Sequence, residues 1–210
     1  MIMKLEHSLL WLEKQLFKHK SKKTYFLLFL CLIAGLISIW FDKLKAEQAL
    51  ATIWSVVIVI SGNKIALSCM DKTTKYLIAL KGNVKQIVIN KMILPIRRNE
   101  VFTLLFSLST FVILIIKQTA DISFLLRVAL CLIGTPIVIF FIVTTYLILH
   151  GFAKTVVPFF TIAVFNVFFI TEQMTPLAYL GEAVFIAVLF FISEILAGKI
   201  TGETLLNKGA

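Results

Sequence analysis

The chain has 210 residues, of which 60% are apolar and 19 are Phe, with a mean hydropathy of +0.97. Soluble globular domains run at roughly 45–50% apolar, so a soluble domain is excluded and an all-α polytopic membrane protein is the expected class. The net charge of +10 does not point to nucleic acid, because the Lys and Arg residues sit beside apolar runs, where they set orientation and meet anionic headgroups.

Residues 1–23 carry Leu5, Leu9, Leu12 and Leu16 at spacings of four, three and four, with Trp11 beside that seam. Lys4, Lys14, Lys18 and Lys20 fill much of the remaining circumference. This is the pattern of a cytosolic amphipathic helix lying in the membrane interface, and a soluble helix docked on a partner would share it. No A-x-A-like cleavage site follows, so the segment is not expected to be a cleaved signal peptide. A first span is expected over residues 24–41, followed by a short, nearly neutral loop. The second, over residues 48–70, is interrupted in composition by Ser61-Gly62-Asn63-Lys64. Lys64 there either snorkels to the cytosolic headgroups or faces a polar cavity between helices.

Residues 71–100 form the largest segment expected in water, with a helix near residues 76–91 and a Pro95-Ile96-Arg97-Arg98 turn that starts a third span over 101–116. The fourth span, 124–149, has Arg127 near its outer end and Gly134-Thr135-Pro136 near its middle. Proline removes a backbone hydrogen bond, which predicts a kink or break there. A tight turn leads to the fifth span, 155–170, which contains Pro158 and Asn166, and then to the sixth, 177–197, and a solvated tail, 198–210. The reading is thus one membrane domain, 24–197, of six transmembrane helices preceded by the interfacial helix. Seventeen of the 21 Lys and Arg residues fall on the side of the termini; Lys43, Lys45, Lys117 and Arg127 fall on the other. That bias places both termini and residues 71–100 on the cytoplasmic side of the cell membrane.

Catalytic signatures are missing from this sequence. It has no G-x-x-x-x-G-K-[ST] loop to cradle a nucleotide phosphate and no H-E-x-x-H metal motif. His7, His19 and His150 fall at membrane edges, and Cys31, Cys69 and Cys131 are isolated in or beside apolar runs. No catalytic residue, cofactor or metal site is therefore expected. Glu182 and Glu194 fall toward opposite ends of the sixth span, at headgroup level, and intramembrane acid pairs are not expected. Glu194 and Lys64 share a cytosolic depth and are a candidate inner-leaflet polar pair. Thr135, Pro136 and Asn166 are candidates to line a pathway, since a kinked helix exposes carbonyls that protein or water must satisfy; ordinary packing around a proline kink accounts for them as well.

The layout and one stretch of residues carry a resemblance. Six spans, cytosolic termini, an amphipathic N-terminal helix and a basic segment between the second and third spans resemble the permease subunits of ABC type-2 exporters. In that family the basic segment carries a pattern like L-x-x-L-P-x-S-R-x-x-[IV]-x-x-x-K on a helix that docks into a separate ATPase. Here Leu77, Leu80, Ile87 and Lys91 fall at the matching places, while Lys81 stands at the proline and Val84-Lys85, or Asn83-Val84, at the Ser-Arg pair. The run Leu94-Pro95-Ile96-Arg97-Arg98 matches the L-P-x-x-R core more literally, without the following lysine.

The resemblance implies a membrane-spanning permease subunit that is not itself an enzyme. Its partners would be the lipid bilayer, a separate ABC ATPase subunit and a second permease copy or paralogue. Leu77, Leu80, Lys81, Val84, Lys85, Ile87 and Lys91 would form the ATPase-coupling face, and the cargo would be a peptide, lipid or amphipathic compound. A surface helix lying on the inner leaflet would share that face. The competing expectation is a non-transporting membrane immunity or accessory protein, which would need no ATPase.

Overall fold

The computed structural model describes residues 22–70, 84–149, 151–170, 176–201 and 203, and among these the regular structure is entirely α-helical. In chain order the helices are α1 (Lys22–Trp40), α2 (Ala46–Cys69), α3 (Val84–Ile116), α4 (Ile122–Ile148), α5 (Ala153–Ile170) and α6 (Pro176–Gly198). Each is a mainly apolar run, and a helix is the form in which such a run satisfies its own backbone away from water.

Local chemistry ends the helices. Asp42 (φ 54) and Gln118 (φ 58) take the left-handed conformation just beyond α1 and α3. That lets the Lys43 amide reach Ser38 O at 2.8 Å and the Thr119 amide reach Leu114 O at 2.9 Å, which satisfies carbonyls the helix ends would otherwise orphan. Lys117 then ties the two ends together, donating from Nζ to Ile39 O at 3.1 Å and to Asp42 Oδ1 at 2.6 Å. Gly151, with φ 61, turns the chain between α4 and α5. Pro176 opens α6 at the first helical position, where its missing N–H is no loss.

Contacts set the helix directions. Ser61 meets Asn99 and Ser68 meets Lys91, so α2 and α3 are antiparallel. Gly35 lies against Phe106 while Ile39 lies against Lys117, so α1 and α3 are parallel. Trp54 meets Thr135 and Gly62 meets Ile142, which makes α2 parallel to α4. Ser123 meets Tyr179 and Gly134 meets Ile186, which makes α4 parallel to α6. Helices α1 to α4 thus alternate in direction, and α6 runs with α4. At the centre are α2, packed on α1, α3, α4 and α5, and α4, packed on α2, α3, α5 and α6.

The outside of this bundle is apolar. Phe29, Leu105, Leu108, Ile133, Phe159 and Phe191 are exposed, while Asn99, Thr103, Arg127, Thr135 and Glu182 are buried. Water would select the opposite arrangement, and hydrocarbon selects this one. Among the described residues, four helices are long and apolar enough to cross a membrane: α2, α3 from Ile87, α4, and α6 from Leu177. Phe29–Trp40 of α1 and Ala153–Val167 of α5 are shorter apolar stretches. The chain is a helical, membrane-embedded protein.

Several expectations need correction. The turn over Pro95–Arg98 does not form: α3 runs through Pro95 as one 33-residue helix. The second half of the supposed water-facing segment is accordingly part of the bundle, with Val88, Lys91, Met92 and Asn99 buried. Helix α2 is continuous through the polar run Ser61–Lys64, and α4 is continuous through Pro136, so of the kink or break expected there the break does not form. One lost hydrogen bond at a proline is a smaller penalty than two new helix ends, each with four orphaned polar groups, in a low-dielectric medium. Residues 1–21 of the expected interfacial helix lie outside the described residues, as do Leu77, Leu80, Lys81, the three histidines and most of the tail.

Candidate functional site

The most unusual feature of the interior is a polar file on α4. Ser123, Arg127, Cys131 and Thr135 recur every fourth residue, so they share one helix face. Two other helices close over that face. From α6, Tyr179 OH donates to Ser123 O at 3.4 Å near the mouth of the file. One turn further in, Glu182 is fully buried and Arg127 is 1% exposed. The two charges lie close enough to act on one another, and Glu182 also acts on Cys131. Both Glu182 carboxylate oxygens are buried without a hydrogen-bond partner.

At the inner end of the file, Trp54 of α2 donates its indole N–H to Thr135 Oγ1 at 2.9 Å, with Cys131 O at 3.3 Å. The Thr135 hydroxyl in turn donates to Cys131 O at 2.7 Å. Trp54 stacks on Phe165 of α5, with ring centroids 4.3 Å apart. Its neighbour Ser55 faces another way: it donates to Ala51 O at 2.7 Å and accepts from Asn166 Nδ2 at 2.8 Å. This Ser55–Asn166 pair lines a cavity of about 350 Å³ between α2 and α5, whose other walls are apolar and include Val56, Val59, Phe159 and Ile162.

At the solvent end of α4, the Ser123 hydroxyl donates to Asp121 Oδ2 at 2.5 Å. That bond, aided by the Ser123 amide, holds the Asp121 carboxyl below its ordinary value. The file therefore runs from an exposed carboxylate past buried Arg127 and Glu182 to a buried indole.

The sequence candidates fall as follows. Thr135 and Asn166 are brought to consecutive residues of α2, Trp54 and Ser55, although the second contact opens onto the α2–α5 cavity and the first does not. Pro136 is half-buried beside Thr135. Of the coupling residues, Val84 and Lys85 lie in the first turn of α3 and Ile87 is half-buried. Lys91 is 9% exposed and donates from Nζ to Ser68 O at 2.8 Å, so it clamps α3 to the end of α2. Lys64 and Glu194 are both half-buried, on α2 and α6, which are not among the closely packed helix pairs.

Two charged residues depart from their expected places. Arg127, counted among the outer flanking charges, is inside the bundle, and so is Glu182, expected at headgroup level. Depth along a helix suggested the interface, but the helix face decides burial. The four-residue spacing Ser123, Arg127, Cys131, Thr135 is the sequence signal that could have found the file. Comparison with protein-family models, curated proteins and solved structures gives no match for this chain.

Proposed function

We propose that this chain is the membrane-spanning permease subunit of an ATP-driven exporter. It would work with a separate ABC ATPase and a second permease copy or paralogue, and move a peptide, lipid or amphipathic compound across the cell membrane. The observation that carries this reading is the continuity of α3 from Val84 to Ile116. Thirty-three residues of helix are about 50 Å long, against roughly 30 Å of hydrocarbon. About 20 Å lies beyond the hydrocarbon, shared between its two ends, and the first seven residues, which carry Val84, Lys85 and Ile87, run about 10 Å past Lys91, where α3 meets the end of α2. Force applied there would pass along a single helix into the bundle, with no loop to absorb it.

In this reading Lys91 is a clamp rather than a docking residue, because its ammonium is already committed to the end of α2. The docking face would be supplied by Leu77, Leu80, Lys81, Val84, Lys85 and Ile87. All six helices would cross the membrane, in keeping with the directions of α1 to α4 and of α6. Both termini would be cytoplasmic; with Arg127 inside the bundle, only Lys43, Lys45 and Lys117 remain as outward-flanking basic residues, which strengthens that bias.

Purification of the tagged full chain from its own cells, with identification of the bound proteins, tests the proposal. A stoichiometric partner that carries a G-x-x-x-x-G-K-[ST] loop is expected. Recovery of the chain without any such partner would overturn the reading in favour of a non-transporting accessory or immunity protein.

A further inference from the structure

We propose that Glu182 is a proton-binding site: its carboxyl takes up a proton from the end of the α4–α6 seam where Asp121 lies and returns it there, with Arg127 as counter-charge when the proton is absent. This goes beyond the exporter reading and does not depend on it. A carboxylate removed from water needs hydrogen-bond donors or a closely paired cation. Glu182 has no donor on either oxygen, although the side chain is fully buried. A proton on one of those oxygens supplies the neutral alternative at no cost in geometry.

The surroundings favour a proton over a metal cation. A hard cation takes about six oxygen ligands, and among the described residues no three His, Cys, Asp or Glu side chains come together. Arg127 would repel a bound metal ion as well. Among the described residues, the titratable groups near Glu182 are Arg127 and Cys131 on α4 and Tyr179 one turn away on α6 itself. Among the described residues α5 also packs on α6, and its one titratable residue, Lys154, lies at the opposite end over the Tyr146 ring. The nearest water-facing group lies at that end of the seam, where Tyr179 and Ser123 meet beside exposed Asp121.

Dicyclohexylcarbodiimide, an apolar reagent for protonated carboxyl groups, tests the site on the full chain in detergent micelles, with adducts mapped by mass spectrometry. The expected result is an adduct at Glu182 whose yield falls as pH rises through a single step within roughly pH 5 to 9. Glu182→Gln should lose it. Arg127→Gln, which removes the counter-charge, should carry the adduct to a pH higher by about 1 or more, while Arg127→Lys should stay near the parent profile. Absence of the adduct across that range, or a yield indifferent to pH, would overturn the proposal; so would an Arg127→Gln profile that coincides with the parent's. If Arg127→Gln does not fold, the parent profile and Glu182→Gln decide.

Discussion

Single residues in this bundle matter according to what they leave unpaired. Thr135 accepts the buried Trp54 N–H at 2.9 Å, and its loss would leave that donor only the longer contact to Cys131 O at 3.3 Å. Interhelical hydrogen bonds inside membranes contribute about 0.6 and at most about 1.7 kcal/mol. Thr135→Val keeps the shape and should cost that much in a detergent unfolding titration. Lys117 poses a different case, because it bonds both Ile39 O and an Asp42 carboxylate that is 87% exposed. Asp42→Asn should cost under about 1 kcal/mol, since an exposed ion pair is screened by water and salt. Lys117→Met should cost more in the same titration, because it also strips a donor from a helix-end carbonyl.

Among the elements, α2 and α4 depend on a close approach. A β-carbon at Gly62 would fall 2.8 Å from Ile142 Cγ2 and 3.3 Å from its Cβ. Ile142 is 2% exposed and β-branched, so it has little room to move. Gly62→Val should therefore destabilise the bundle by about 1–3 kcal/mol, whereas Gly198→Ala, in open space, should not be detectable in the same assay. The polar run Ser61–Lys64, which interrupts the apolar composition of α2, is where two central helices touch. Most helix positions were readable from apolar run length, the start of α3 excepted; the contacts of Thr135 and Asn166 with Trp54 and Ser55 were not. Nor was the burial of Arg127 and Glu182, because nearness to a helix end does not determine which face of the helix a residue occupies. Pro95 misled for a related reason: a proline rule drawn from water weighs one lost bond against solvated ends, and in this bundle those ends would be unsolvated.

For the whole molecule, the distribution of charge and the alternation of helices predict which surfaces face which compartment. In a background with Cys31, Cys69 and Cys131 replaced, single cysteines at Lys43 and Ala120 should react with a membrane-impermeant maleimide on intact cells. A cysteine at Lys199 should react only after permeabilisation. Labelling of all three from outside would contradict the six-crossing arrangement with cytoplasmic termini.

The proposed action of an ATPase on this membrane domain through the N-terminal end of α3 is tested most directly by site-specific photo-crosslinking from that end. A photoreactive residue in place of Lys81 or Lys85 should form an adduct with a protein that carries a nucleotide-binding loop, and one in place of Ile133, exposed on the apolar face of α4, should not. Equal adducts from all three positions, or none from Lys81 and Lys85, would contradict it.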